Sequence, residues 1–197
     1  MRFYTLIIPV AIMITGCSST APAINEYTIY PSASIKSTTV HSSKVLRLAS
    51  TRTIPSLESK NLTYLRLNGV SGSYLYTRWS DTPSLLIERS LHHSLQEQAL
   101  FSAILSSTSS ARADILLESD LHAFYHRFET GEKSKGVIDI SYRLIDVDTK
   151  LPIASKRFYI TKNAPSEDGI GGVKALTEAT QELSEQCSQW IKEKVAK

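Results

Sequence analysis

Apolar and polar positions alternate with period two over most of the chain, and two long stretches switch to helical spacing. The segment Glu26 to Tyr30 (EYTIY) alternates and predicts a short first strand. Pro31 to Ser43 is rich in serine and threonine and predicts a loop. Lys44 to Ser50 sets Val45, Arg47 and Ala49 against Leu46 and Leu48, a second strand, and Thr51 to Asn61, with Pro55 inside it, reads as connection. Leu62 to Gly69 and Ser73 to Trp79 flank NGVSG, whose Asn68, Gly69 and Gly72 tolerate φ > 0, so a hairpin is expected there. On its second arm Tyr74, Tyr76 and Arg78 read as one face.

Helical spacing begins at Thr82-Pro83, where threonine can cap and proline is pre-set for the first helical position. Leu85, Leu86, Ile87, Leu91, Leu95 and Ala99 then recur along one stripe. A short strand is expected in Leu100 to Ser107, followed by a serine-rich loop. Ala113 to Phe128, Gly136 to Val147 and Pro152 to Asn163 predict an antiparallel meander, with a charged turn between the first two. The Gly-rich stretch Ala164 to Gly172 reads as a flexible hinge. The last segment places Val173, Leu176, Thr180, Leu183, Cys187, Trp190 and Ile191 on one stripe, a helix of about seven turns by the 3.6-residue period. Strands, helix, strands, helix is the pattern of an α+β fold. A mixed, mostly antiparallel sheet with two amphipathic helices packed on one face satisfies it.

The ends and the composition add a cellular address. Met1 and Arg2 precede FYTLIIPVAIMIT, an apolar run too short to span a ~30 Å hydrocarbon core but matching a signal-peptide core. The run closes on Ile14-Thr15-Gly16-Cys17, which resembles a bacterial lipobox. The resemblance implies removal of a signal peptide over 1–16 and acylation of Cys17 with palmitate-like chains. Residues 17–26 then form a small, polar tether, and 27–197 a single α+β domain. Ser18, rather than aspartate, follows Cys17 and resembles an outer-membrane sorting signal. With Cys17 acylated, Cys187 has no disulfide partner; its place on the apolar stripe predicts core packing. Lys and Arg total 22 against 19 Asp and Glu, with no basic block suited to nucleic acid.

Candidate chemistry is sparse. His92 and His93 are neighbours on a helix and diverge, so they do not share a metal. His122 and His126 share a strand face at about 13 Å, too far apart for one ion. Glu167 to Gly172 lacks the spacing of a phosphate-binding loop. No nucleophile elbow or carboxylate pair stands out, so catalytic residues, metal ligands and cofactors are not expected, apart from the covalent lipid on Cys17. Asn61-Leu62-Thr63 is formally a glycosylation sequon, irrelevant to a bacterial lipoprotein. The corner Thr77 to Pro83 (TRWSDTP) reads as a strand-to-helix junction. Trp79 is expected buried, Arg78 near Asp81 on a wet edge, and the Asp81 charge near the positive helix end.

Taken in order, the lipobox, EYTIY, YTRWSDTPSLLIERSLHHSL, ADILLESDLHAFYHRF, DISYRLIDVDTKLPIASKRF and LTEATQELSEQCSQWI resemble the ABC-type transport auxiliary lipoproteins. These are the PqiC-like lipoprotein partners of MCE-type lipid transport systems. Tyr76, Arg78, Trp79, Asp81, Phe124, Asp146 and Trp190 stand at the positions that match the family pattern, while Pro31 to Lys60 departs from it. The α+β layout resembles a TolB N-terminal-like two-layer arrangement, and the family resemblance implies a non-enzymatic role. It implies an envelope protein, anchored to the periplasmic face of the outer membrane and docked on the MCE-domain protein of an ABC lipid transporter. Tyr76, Arg78, Trp79 and Asp81 are then the candidate partner-contact residues, and homo-oligomerisation stays open. Two other readings also fit. One is a lipoprotein activator or assembly factor for a cell-wall synthase or for lipopolysaccharide assembly. The other is a carrier holding lipid between sheet and helices.

Overall fold

The computed structural model describes residues 22–30, 42–131 and 133–195. The expected signal peptide, Cys17, the first half of the expected tether and nearly all of the expected loop over Pro31 to Ser43 lie outside the described residues. Nine strands form one sheet, β1 (Asn25–Tyr27), β2 (Val45–Leu48), β3 (Arg52–Thr53), β4 (Asn61–Leu65), β5 (Ser71–Trp79), β6 (Ala103–Leu105), β7 (Ile115–Glu129), β8 (Lys133–Asp146) and β9 (Pro152–Asn163). Helix α1 (Pro83–Glu97) follows β5, and α2 (Gly169–Val195) follows β9.

The three longest strands make the expected meander, β8 pairing antiparallel with β7 on one edge and β9 on the other. The opposite edge of β7 is lined by β2, β3 and β4 in series, all parallel to it. The chain from Val45 to Leu65 thus follows β7 in its own direction, leaving it only for a 3-10 turn at Pro55–Leu57. The segment expected to be plain connection therefore holds a two-residue strand. Five of the eight pairings are parallel, yet the three antiparallel ones carry most of the paired length.

Both helices cover one face of the sheet. Leu46, Leu62, Trp79, Phe124, Ile138 and Ile140 from the strands meet Leu86, Ile87, Leu91 and Leu95 of α1 and Leu176, Leu183 and Ile191 of α2, all buried. Leu85, placed by periodicity on the same stripe, points outward instead, and Ala99 ends the helical stripe with φ 46°. The seam between the helices is built from serines. Ser184 Oγ donates to Ser90 Oγ at 2.9 Å, and Ser188 Oγ donates to Ser94 Oγ at 3.0 Å. Small side chains let the backbones approach, and each buried hydroxyl finds a partner, which avoids the cost of an unpaired polar group.

Two helix starts differ from expectation. Thr82 has the extended backbone of an N-cap and Pro83 takes the first helical position, but Thr82 Oγ1 bonds Ser84 Oγ rather than a backbone amide. The supposed hinge is helix from Gly169 onward. Asp168 caps it, its Oδ1 accepting from the amide of Gly171 at 2.8 Å. The glycines are there for space. A Cβ at Gly169 would lie 2.6 Å from Thr77 Oγ1, and one at Gly172 would lie 2.9 Å from His126 Nδ1.

Candidate functional site

The corner between β5 and α1 is set by a strand irregularity. Asn61 pairs with Arg78 but Thr63 with Ser73, so β5 carries extra residues and its faces exchange midway. Tyr74, Thr77 and Trp79 turn inward while Leu75, Tyr76 and Arg78 are exposed. Tyr74, Tyr76 and Arg78 therefore do not share a face. Trp79 is fully buried, its ring edge-on to Phe124 at 5.6 Å between centroids, and its indole Nε1 has no partner. Arg78 does not meet Asp81. It donates from Nε to Glu26 Oε1 at 2.9 Å, pinning β1 to β5, while Asp81 Oδ2 accepts from Arg89 Nη2 at 2.7 Å. Cross-strand and two-turn neighbours were closer than the sequence neighbour.

The other family-matching positions also have structural tasks. Phe124 lies under Trp79, and Trp190 is buried edge-on to Phe158 at 6.0 Å. Asp146 Oδ1 accepts from the amide and hydroxyl of Thr149, both at 2.9 Å, which closes the β8–β9 turn and lowers the Asp146 carboxyl pKa. Tyr76 stands apart, with its ring half exposed.

The two histidines of β7 part company at a bulge. Leu121 pairs with Ile140 and Ala123 with Asp139, so His122 is extra and the alternation resets after it. His122 faces out and shares a 2.9 Å hydrogen bond with Ser141 Oγ, whereas His126 faces in and is fully buried. The expectation that both share a face fails for that reason. His126 Nδ1 and Tyr74 Oη share a hydrogen bond of 2.7 Å, and His126 Nε2 has no partner. Burial holds the imidazole pKa below its ordinary value of 6.5, with Asp168 opposing, and burial also raises the Tyr74 phenol to about 12. The pair is closed in by Tyr64 and Phe128, with Arg66 lying over both rings. Both members are held neutral. Cys187 is likewise buried, and burial raises its thiol far above the ordinary range, which disarms it as a nucleophile.

The sheet face away from the helices is open. Its charges are paired: Arg52 and Arg143 with Asp120, Arg157 with Asp139, and Arg127 and Lys135 with Glu129. Between β3 and β4 the edge of β7 from His122 to Tyr125 has no neighbouring strand. Threonine hydroxyls substitute, Thr53 Oγ1 donating to Leu121 O at 3.3 Å and Thr63 Oγ1 to Phe124 O at 3.2 Å. A cleft of about 380 Å³ opens over this gap, lined by Ile54, Leu57, Thr63, Leu65, His122 and Tyr125 among others. Two apolar walls, a hydroxyl floor and an imidazole suit a partner's side chains better than a charged ligand. Between the sheet and α1, by contrast, the recess beside Leu91 and Tyr142 holds only about 10 Å³. Sequence reasoning missed the cleft because it arises from a gap between short parallel strands.

Among the described residues no group of three metal-ligating side chains gathers, and no helix is long and apolar enough to cross a membrane. Comparison with known proteins adds the following. Residues 27–188 match the family model described as the ABC-type transport auxiliary lipoprotein component. The crystal structure of a Xanthomonas campestris protein of the DUF330 family is similar, with a TM-score of 0.77 at 15% identity over 86% of this chain and 96% of that one. A hypothetical protein from Chlamydia trachomatis is similar at a TM-score of 0.58 and 8% identity, over 78% and 98% of the two chains. No curated protein matches the sequence. At such identities the likeness to solved structures shows a shared fold.

Proposed function

Because the chain belongs to the family of ABC-type transport auxiliary lipoprotein components, we propose that it is a non-catalytic docking piece of an MCE-type ABC lipid transporter. Acyl chains on Cys17, exposed after loss of residues 1–16, tether it to the periplasmic face of the outer membrane, and the folded domain meets the MCE-domain protein at its exit end. The mechanism is positional. The anchor fixes one end of the assembly, and the docking surface holds the transporter's outlet against the correct leaflet.

The observation that carries this reading is the cleft on the open sheet face. Every family-matching side chain but Tyr76 is consumed by the fold, in the core, in a turn or in an ion pair. Ile54 at the cleft, and Leu75 and Tyr76 on β5, are exposed apolar side chains that the fold does not use. Exposed apolar surface rimmed by polar groups is the usual mark of a protein contact site. The neutral Tyr74–His126 pair and the inert Cys187 support a role without chemistry.

The test is site-specific photo-crosslinking in cells that carry the MCE protein at its natural level. Tyr125→benzoylphenylalanine, in the cleft, is expected to capture the MCE subunit. Gln189→benzoylphenylalanine, on the exposed side of α2, is not. Recovery of a cell-wall synthase or a lipopolysaccharide-assembly protein at Tyr125, with no MCE subunit, would overturn the proposal in favour of an assembly factor.

A further inference from the structure

The turn between β4 and β5 leaves the body of the protein with apolar side chains at its tip. Arg66 N donates to Val70 O at 2.8 Å and Gly69 N to Arg66 O at 2.9 Å, with Gly69 at φ +80°, so the turn is well formed. It presents Leu67 and Val70 to solvent, 66% and 50% exposed. A tight turn has no structural need for two outward aliphatic residues, since polar residues serve as well.

Where the anchored N-terminus comes from decides what lies beneath that turn. β1 runs parallel to β5, with Asn25 opposite Thr77 and Tyr27 opposite Trp79. The chain therefore enters β1 from the side of the β4–β5 turn. Only eight chain steps separate Cys17 from Asn25. At ~3.3–3.6 Å per residue they reach no farther than about 28 Å, whatever their conformation. Along β5, the seven steps back from Thr77 to Val70 include three extra residues, so they cover about four rises, about 13 Å. A fully extended tether thus passes the turn by no more than about 15 Å, which keeps the turn close to the leaflet that holds the anchor. The β7–β8 turn lies at this same end, because Leu65 pairs in parallel with Arg127 just before it. The β8–β9 turn, which carries the exposed Leu151, lies at the opposite end.

We infer that the β4–β5 turn is a membrane-contact element, and that Leu67 and Val70 enter the headgroup region of the leaflet that holds the Cys17 acyl chains. Arg66 stays at the water side of that boundary, where its guanidinium covers Tyr64 and Phe128 and faces lipid phosphates. The inference rests on the lipoprotein reading of Cys17. It adds an orientation: the domain stands on this turn, with the β8–β9 turn directed away from the membrane and the open face left clear at the side.

The experiment uses the full acylated chain in vesicles of phosphatidylethanolamine and phosphatidylglycerol, diluted so that copies do not meet. A polarity-sensitive fluorophore is placed at Leu67→Cys, at Val70→Cys and, as a control, at Leu151→Cys, the buried Cys187 being shielded. A nitroxide quencher is carried on the lipid chains. Quenching several-fold stronger at 67 and 70 than at 151, with a blue shift, is the expected result. Equal quenching at the three positions, or protection at 67 and 70 that appears only when a second copy or an MCE protein is added, would overturn it. Flotation of the chain with the vesicles reports the anchor separately. A floating chain with a water-exposed turn defeats the orientation alone, and an unacylated chain that does not float removes both.

Discussion

Trp79 illustrates how a family signature can be mostly architecture. Its ring is fully buried against Phe124, and four residues later α1 begins, so it joins the sheet to the first helix. Truncating a buried aromatic of this kind costs about 3–5 kcal/mol. Trp79→Ala should lower the urea midpoint accordingly, while Trp79→Phe, which removes the unpartnered indole N–H, should lose much less. A Trp79→Ala protein as stable as the parent would show that the corner is not part of the core. His126 gives a pH signature. Its imidazole pKa is held below 6.5 by burial, so the unfolded chain takes up a proton more readily than the folded one. The stabilisation is complete above that value and falls as pH drops through it toward the lower folded pKa. Urea midpoints measured on both sides of 6.5 should therefore diverge for the parent and converge for His126→Leu. Equal divergence in the two would assign the effect to another group.

Among the elements, those with a clean period were legible and those shaped by a distant neighbour were not. The β7–β9 meander and the two helices follow from alternation and from the 3.6-residue stripe, because each buries one face over many residues. The bulges at His122 and within β5 reverse which side chains point inward without changing composition, so Tyr76 and His122 were given the wrong face. The glycines at the start of α2 read as a hinge because their cause lies elsewhere in the sequence. Thr77 and His126 occupy the space their Cβ atoms would need. The cleft escaped for the same reason, since it is a gap between β3 and β4 rather than a motif. Gly136 tests this view of glycine as packing. A Cβ there would lie 2.7 Å from the backbone of Ala175 and Leu176 in α2. Gly136→Ala should cost about 1–3 kcal/mol, the range for forcing a packed backbone apart. Amide exchange should accelerate in α2 before β7. A neutral substitution would mean that the helix seats more loosely than the geometry requires.

As a whole the molecule has a closed face, where the helices seal the core, and an open face, where charge is spent internally. Five basic side chains there meet four carboxylates, with Asp120 held down to about 2 first by its hydrogen bond to Arg52 and then by Arg143. The carboxylate pKa lies below the ordinary 3.8, so its ion pairs contribute above that value and are lost only as pH falls from there toward 2. Across the pH of an envelope compartment the face stays ionised and close to neutral overall. A partner approaching it meets little long-range field, in contrast to clefts lined by one sign of charge. The proposed docking at the cleft then depends on shape and apolar contact with Ile54 and Tyr125. Raising ionic strength from 0.1 M to 1 M shortens the screening length from about 10 Å to about 3 Å. The association rate of the soluble domain with the proposed MCE partner should change little across that range. A steep fall with salt would move the docking surface to the acidic outer side of α2, at Glu178, Glu182 and Glu185, and away from the open face.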